Sequence, residues 1–127
     1  RKKRFGKSIK NRCPGYFQAK VKAKFQSTGG KYIEVAKSFR ASQYDHTCND
    51  YIKKELSDRM FNLSDGTRVQ RDSYSSFLLY CSVKSGDHIN KNKCKKEFKQ
   101  FYDKYLALES YIKSNHINVM NSGIKVA

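Results

Sequence analysis

The spacing of apolar residues predicts a mixed α/β fold. Phe17, Val21 and Phe25 recur at intervals of four, which places them on one face of a helix. Residues 31 to 36, KYIEVA, alternate β-branched or aromatic side chains with polar ones, as strands do. A third apolar pattern, in steps of four and three from about residue 91 to 113, predicts a long amphipathic C-terminal helix. The 127 residues are enough for one domain with a modest core.

Local signals bound the first helix on both sides. Pro14 suits the first turn of a helix, because proline has no backbone N–H to leave unpaired there. The pair Gly29-Gly30 interrupts the apolar pattern and favours a tight turn. We therefore expect a helix over residues 15 to 27, then a turn, then the strand over residues 31 to 36.

The middle of the chain, from residue 37 to 70, has little periodicity. Asp, Asn, Ser, Thr and Gly accumulate in two stretches, DHTCND and NLSDGT. These residue types favour turns, because their side chains bond to nearby backbone or allow unusual backbone angles. We expect an inserted or irregular subdomain here.

Two further helices are predicted after the middle segment. Residues 71 to 83 carry an apolar face formed by Tyr74, Phe77, Leu78 and Cys81. The loop KSGDHINKN follows, and then the long helix, whose apolar positions are Cys94, Phe98, Phe101, Tyr105, Leu108 and Ile112. We expect this aromatic stripe to pack in the core rather than to stack on nucleic-acid bases.

The charge of the chain points to a polyanionic partner. Lysine and arginine number 27 against 11 acidic residues, which gives a formal net charge of +16. This net charge is larger than solubility requires, and it is large enough to attract nucleic acid. Residues 1 to 12 hold seven of the cations and form a basic arm, which is either a solvated tail or a nucleic-acid contact. Its candidate contact residues are Arg1, Lys2, Lys3, Arg4, Lys7, Lys10 and Arg12.

Several classes of protein are disfavoured by what the sequence lacks. No apolar run approaches the roughly 18 residues of a membrane span, and the N-terminus has no signal-peptide pattern. We expect a soluble, cytoplasmic, nucleoid-associated protein whose four scattered cysteines are free thiols. The chain starts with Arg1 rather than methionine, so we expect a trimmed or partial product.

Few catalytic chemistries are compatible with the residues. The sequence has no CxxC, HxxxH, GxxxxGK[ST] or GxSxG pattern, and its three histidines lie in separate segments. Carboxylate chemistry on a phosphodiester remains, in which acids hold metal ions that activate water. Such a site needs several acids, and this chain has few.

Three short motifs occur in an informative order: SQYDHTC at residues 42 to 48, NLSDG at 62 to 66 and QRDSYSSF at 70 to 77. Together they resemble the C-terminal part of the TnpB family, the transposon-encoded relatives of type V CRISPR effectors. The family pattern is S-Q-x-C-x-x-C, then C-x-x-C-G, then R-D and a helix. Residues Ser42, Gln43, Gly66, Arg71 and Asp72 match it. The resemblance covers roughly residues 5 to 85.

The resemblance implies part of an RNase H-like RuvC nuclease fold. Residues 13 to 40 would supply a helix and strand of that fold, and residues 67 to 85 the helix that carries the third acid. Between them, residues 41 to 66 would form a nucleic-acid-binding insertion, normally a zinc ribbon. A C-terminal helix and tail, residues 86 to 127, would follow.

The resemblance also implies an activity for the complete protein, namely Mg²⁺-dependent, RNA-guided cleavage of DNA by a transposon-encoded endonuclease. Asp72 would be a metal ligand, and DNA and a guide RNA would be the partners. Besides the arm, the candidate nucleic-acid contacts are Arg40, Ser42, Gln43 and Arg71. The competing interpretation is that Asp72 only caps a helix, where the helix dipole favours an acid.

The chain departs from the family at its zinc ribbon. Asp45, Cys48, Asn62 and Asp65 occupy the four cysteine positions, which leaves one thiolate and weak oxygen ligands. We expect no zinc and an insertion that folds without metal. Tyr74 also stands where the family usually has a small polar residue.

A second departure concerns catalysis. The family's first aspartate and its glutamate lie on strands upstream of the matching region, and this chain does not contain them. We therefore expect no cleavage by the chain alone. The alternative function is a nucleic-acid-binding module without catalysis, either a nuclease-dead regulator or a remnant. The sequence does not indicate an oligomeric state.

Overall fold

A computed structural model describes residues 13–36, 38–55, 57–83 and 88–126. The chain divides into two compact units, Arg1–Glu34 and Val35–Ala127. The basic arm over residues 1 to 12 lies outside the described residues, so its seven candidate contacts stay predictions.

The first unit contains helix α1, Pro14–Ser27, within one residue of the predicted bounds. Proline lies in its first turn, and the turn after it uses Gly29 at a φ of 71°. The predicted apolar face buries nothing, because no residue of the helix is buried and Phe17 and Phe25 are both exposed.

The predicted strand over residues 31 to 36 is wrong. The segment has no regular secondary structure. A strand is stable only beside a hydrogen-bonded neighbour, and the described part of the chain offers this segment none. The segment contacts helix α1 through a hydrogen bond of 3.0 Å from Gln18 Nε2 to the Tyr32 hydroxyl.

The second unit begins with a 3₁₀ helix, Ala41–Gln43, followed by two short β-hairpins. Strand β1 pairs antiparallel with β2, and β3 pairs antiparallel with β4. The four strands are Tyr44–Asp45, Asp50–Tyr51, Met60–Asn62 and Arg68–Gln70. The predicted irregular segment is therefore a pair of hairpins, whose strands are too short to show an alternating pattern.

Two helices complete the second unit. Helix α2, Arg71–Tyr80, follows β4 directly and is three residues shorter than predicted. Helix α3, Lys91–Ser114, confirms the predicted long C-terminal helix. The Asn90 side chain caps α3 by accepting a hydrogen bond from the Lys93 backbone N–H at 3.0 Å.

The core of the second unit lies where the hairpins meet α2 and α3. Its fully buried side chains include Phe61, Val69, Tyr74 and Leu78. The aromatic stripe of α3 packs against this cluster, as predicted for Phe98, Phe101 and Tyr105, but Leu108 is exposed.

The structure confirms a small mixed α/β fold with a long C-terminal helix. The described residues contain two two-stranded antiparallel sheets, so the finer assignment to an RNase H-like RuvC fold stays a prediction. Among the described residues, no helix is both long enough and apolar enough to cross a membrane.

Candidate nucleic-acid interface

A polar cleft of about 280 Å³ opens at the N-terminal end of α2. It is lined by Ser42 and Gln43 from the 3₁₀ helix, by Arg71 and Asp72 from α2, and by Lys54 from the segment between the hairpins. Four of the residues that carry the family resemblance therefore lie together, although about thirty residues separate the two pairs in sequence.

Backbone contacts fix the start of α2 at the cleft. The Arg71 N–H donates to the Arg59 carbonyl at 2.9 Å, and the Gln70 side chain caps the helix by accepting from the Ser73 N–H at 2.7 Å. The competing interpretation, that Asp72 only caps the helix, does not hold for the side-chain cap, because Gln70 fills that role; Asp72 does lie in the first turn, where the helix dipole favours an acid. The Asp72 side chain is 68% exposed.

The Arg71 side chain is much less exposed than that of Asp72, with 14% of it accessible. Its guanidinium donates to the Glu55 carbonyl at 3.4 Å and pairs with the Asp72 carboxylate at 3.5 Å. Arg71 therefore orients its neighbours, and Lys54 adds a second positive charge. The Lys54 ammonium lies 4.2 Å above the Phe61 ring, a cation–π contact that holds the side chain at the protein surface.

Arg40, another predicted contact, does not line the cleft. It is exposed, and its guanidinium lies over the Tyr51 ring at 4.9 Å from the ring centre.

A buried histidine–tyrosine pair joins the segment after Ser42 and Gln43 to helix α2. The Tyr74 hydroxyl accepts from the His46 backbone N–H at 3.1 Å and lies within hydrogen-bonding distance, 2.7 Å, of His46 Nδ1. Burial lowers the pKa of His46, which agrees with a neutral ring. Tyr74, the departure from the family pattern, thus attaches α2 to the segment after Ser42 and Gln43.

Asp45 joins the two hairpins. Its carboxylate is fully buried and accepts four hydrogen bonds of 2.6 to 2.8 Å, two from Thr47 in the first hairpin turn and two from Ser64 in the second. Burial alone raises the pKa of Asp45, but the hydrogen bonds from Thr47 and Ser64 outweigh it and the net pKa is lowered. An ionised carboxylate therefore links the two turns.

The four positions that correspond to zinc ligands are not gathered into one group of possible ligands. Asp45 uses both oxygens in hydrogen bonds, whereas Cys48, Asn62 and Asp65 are exposed. The described ranges contain no group of three or more His, Cys, Asp or Glu that could hold a metal, and Asp72 therefore belongs to none there. The expected absence of zinc stays a prediction.

The motifs identified four of the five residues that line the cleft, namely Ser42, Gln43, Arg71 and Asp72, because these match a family pattern. Lys54 and His46 were not identified, because each is an ordinary residue in sequence, and the contact of Tyr74 with His46 was not predictable because it is long-range. The helical spacing of Tyr74 did predict that it would be buried.

Comparisons with protein-family models, with curated proteins and with solved structures find no match to this chain.

Proposed function

We propose that this chain is the C-terminal part of a TnpB-like, RNA-guided DNA nuclease of a mobile element, and that it holds nucleic acid at the cleft beside Asp72. The proposal includes the finer fold assignment, in which the described elements belong to an RNase H-like RuvC domain. DNA and a guide RNA are the proposed partners.

One observation carries the proposal. The two motif pairs Ser42-Gln43 and Arg71-Asp72, on which the resemblance depends, line a single cleft. Their convergence on one cleft supports a shared role for the two pairs. The exposed Asp72 carboxylate is also placed for a role outside its own helix, since the helix has Gln70 as its cap.

The chemistry of the cleft suits a phosphodiester backbone. Lys54 and Arg71 provide positive charge, while the Ser42 hydroxyl and the Gln43 amide provide hydrogen-bond donors. The net charge of +16 attracts the strand toward such a surface from a distance. In the complete nuclease, Asp72 would join the family's two upstream acids as a ligand of Mg²⁺.

The cleft is tested first in this chain by fluorescence anisotropy with a labelled single strand. Lys54→Ala should lower affinity severalfold and reduce the salt slope by about one, because one phosphate contact is lost. Lys99→Ala is the matched control, since Lys99 is an exposed lysine on α3 that does not line the cleft. Equal effects of the two substitutions would contradict a phosphate contact in the cleft.

Catalysis is tested in a chimera that joins this chain to the upstream part of a relative with the family's Asp and Glu. Asp72→Ala should abolish Mg²⁺-dependent cleavage and leave affinity nearly unchanged, whereas Asp65→Ala, in an exposed turn, should preserve both. Cleavage that survives Asp72→Ala would reject the metal-ligand assignment.

The second candidate function is a nucleic-acid-binding module without catalysis. It is favoured by the observation that Asp72 has no cluster of acids around it among the described residues. A gene that lacks the two upstream acids would favour this module, and a gene that encodes them would favour the nuclease.

A further inference from the structure

A second cavity, of about 310 Å³, lies on the other side of Asp72. It is enclosed by the start of α2, the second half of α3 and the tail over residues 119 to 124. Part of its wall is apolar and includes Leu108, Ile112 and Val119, and part is polar and includes Asp72, Tyr105 and Glu109. Asp72 lines both this cavity and the cleft.

The Tyr105 hydroxyl is the most unusual group in this cavity. The residue is 5% exposed, yet its hydroxyl makes no hydrogen bond of good geometry among the residues that the structure describes. Glu109 lies nearby but accepts from Lys113 Nζ at 2.7 Å. Burial, and next the contact with the Glu109 carboxylate, raise the pKa of Tyr105 to about 12, against an opposing effect of the Gln70 backbone. A buried hydroxyl that has only these two neighbours and no hydrogen bond of good geometry to either can take a better partner from outside the chain.

The lining defines the chemistry of that partner. An apolar wall suits a flat, weakly polar body, and the Glu109 carboxylate accepts hydrogen bonds from amino groups. A nucleobase with an exocyclic amino group has both features, and carboxylates pair well with the amino group of cytosine. Unpaired bases of single strands are commonly splayed into pockets of this kind.

We propose that this cavity takes one unpaired, amino-bearing nucleobase, with cytosine preferred over thymine, from a strand whose backbone lies in the neighbouring cleft. The strand path rests on the proposed function. The base pocket itself rests on the cavity, the Glu109 carboxylate and the Tyr105 hydroxyl.

Two variants of α3 test the pocket. Tyr105→Phe removes only the hydroxyl and should leave the melting temperature nearly unchanged, because the hydroxyl makes no hydrogen bond of good geometry within the described residues. Tyr102→Phe is the matched control, since the Tyr102 hydroxyl bonds to the Arg68 carbonyl at 3.3 Å and does not line this cavity. A third variant, Leu108→Trp, fills the cavity from an exposed position.

Affinity is measured for twelve-nucleotide strands of deoxycytidine and of thymidine. The wild type should prefer the cytosine strand on the order of tenfold. Tyr105→Phe and Leu108→Trp should reduce that preference to less than about threefold with little change for the thymidine strand, and Tyr102→Phe should keep it. Equal affinity of the wild type for both strands, or a preference unaffected by Tyr105→Phe, overturns the pocket.

A second arm separates this inference from the proposed function. Free cytidine and thymidine are titrated into the full chain, and the chemical shifts of residues around Tyr105 are followed by NMR. If no strand binds but cytidine alone shifts these signals, the proposed function fails and the pocket stands. If strands bind with salt dependence but neither nucleoside perturbs Tyr105, the pocket fails and the proposed function stands.

Discussion

At the scale of single residues, the Asp45 carboxylate holds the two hairpin turns together through Thr47 and Ser64. Asp45→Asn should lower the free energy of unfolding by about 1 to 3 kcal/mol, because an amide NH₂ replaces one acceptor and faces buried donors. Since the Asp45 pKa is lowered in the folded state, this contribution is present above the ordinary value of 3.8 and is lost as the pH falls below it.

Urea denaturation at neutral pH measures this effect, and Asp65→Asn is its matched control. Asp65 is exposed and accepts one hydrogen bond from the Thr67 N–H within its own turn, so its substitution should change stability by less than about 0.5 kcal/mol. Similar losses for the two variants would show that Asp45 does not link the turns.

His46 should make stability depend on pH in a different range. Its pKa is lowered mainly by burial and also by Lys95, against the opposing effects of Asp45 and Asp65. The folded state therefore resists protonation, and stability should fall as the pH drops below the ordinary value of 6.5, where the unfolded chain gains the proton. Melting temperatures between pH 7.5 and 5.5 test this.

The control for that titration is His46→Asn, whose side-chain oxygen takes the place of Nδ1 beside the Tyr74 hydroxyl but does not titrate. The variant should be less stable, because it loses the ring contact with Phe98 at 4.4 Å between ring centres. Its melting temperature should be nearly constant over the same pH range. If it declined as steeply as that of the wild type, His46 would not be the titrating group.

At the scale of elements, the cap of helix α2 is Gln70 and not Asp72, for which the sequence left two interpretations open, metal ligand and helix cap. Gln70→Ala should cost about 1 kcal/mol, because the Ser73 N–H loses its acceptor. Asp72→Ala should cost only about 0.3 to 1 kcal/mol, the loss of a charge near the helix N-terminus. Chemical denaturation of both variants, side by side with strand binding, measures the two roles.

A larger loss of stability for Asp72→Ala than for Gln70→Ala would show that Asp72 mainly stabilises the start of the helix. The exposed Asp72 side chain and its weak contact with Arg71 at 3.5 Å make that result unexpected.

At the scale of the whole molecule, the net charge of +16 dominates association with polyanions. Apart from the proposed preference for cytosine, we expect sequence-tolerant binding to DNA and RNA whose affinity falls steeply with salt, because each phosphate contact releases a condensed counterion. For six contacts, the loss between 50 and 200 mM salt is about a thousandfold. Anisotropy titrations at several salt concentrations test this, and a flat salt dependence would contradict a role in binding nucleic acid.

The sequence by itself determined the features whose signals are local. Pro14 and the glycine pair bounded α1, and the apolar period predicted α3 to within one residue at its end, together with most of its buried stripe. Composition alone predicted a strongly basic chain. The helix bounds and the apolar period depend on residues within a few positions of each other, so they can be predicted from the sequence without knowledge of the fold.

Only the tertiary structure decided what depends on distant partners. Residues 31 to 36 have strand-forming side chains but no neighbouring strand in the part of the chain that the structure describes, whereas the less regular segment before α2 pairs into two hairpins. Asp45 reaches Ser64 nineteen residues away, and Tyr74 reaches His46 across twenty-eight. Strand pairing, the hydrogen bonds of a buried carboxylate and the convergence of four motif residues at one cleft are long-range contacts. No local pattern specifies them, because each depends on where folding places the other partner.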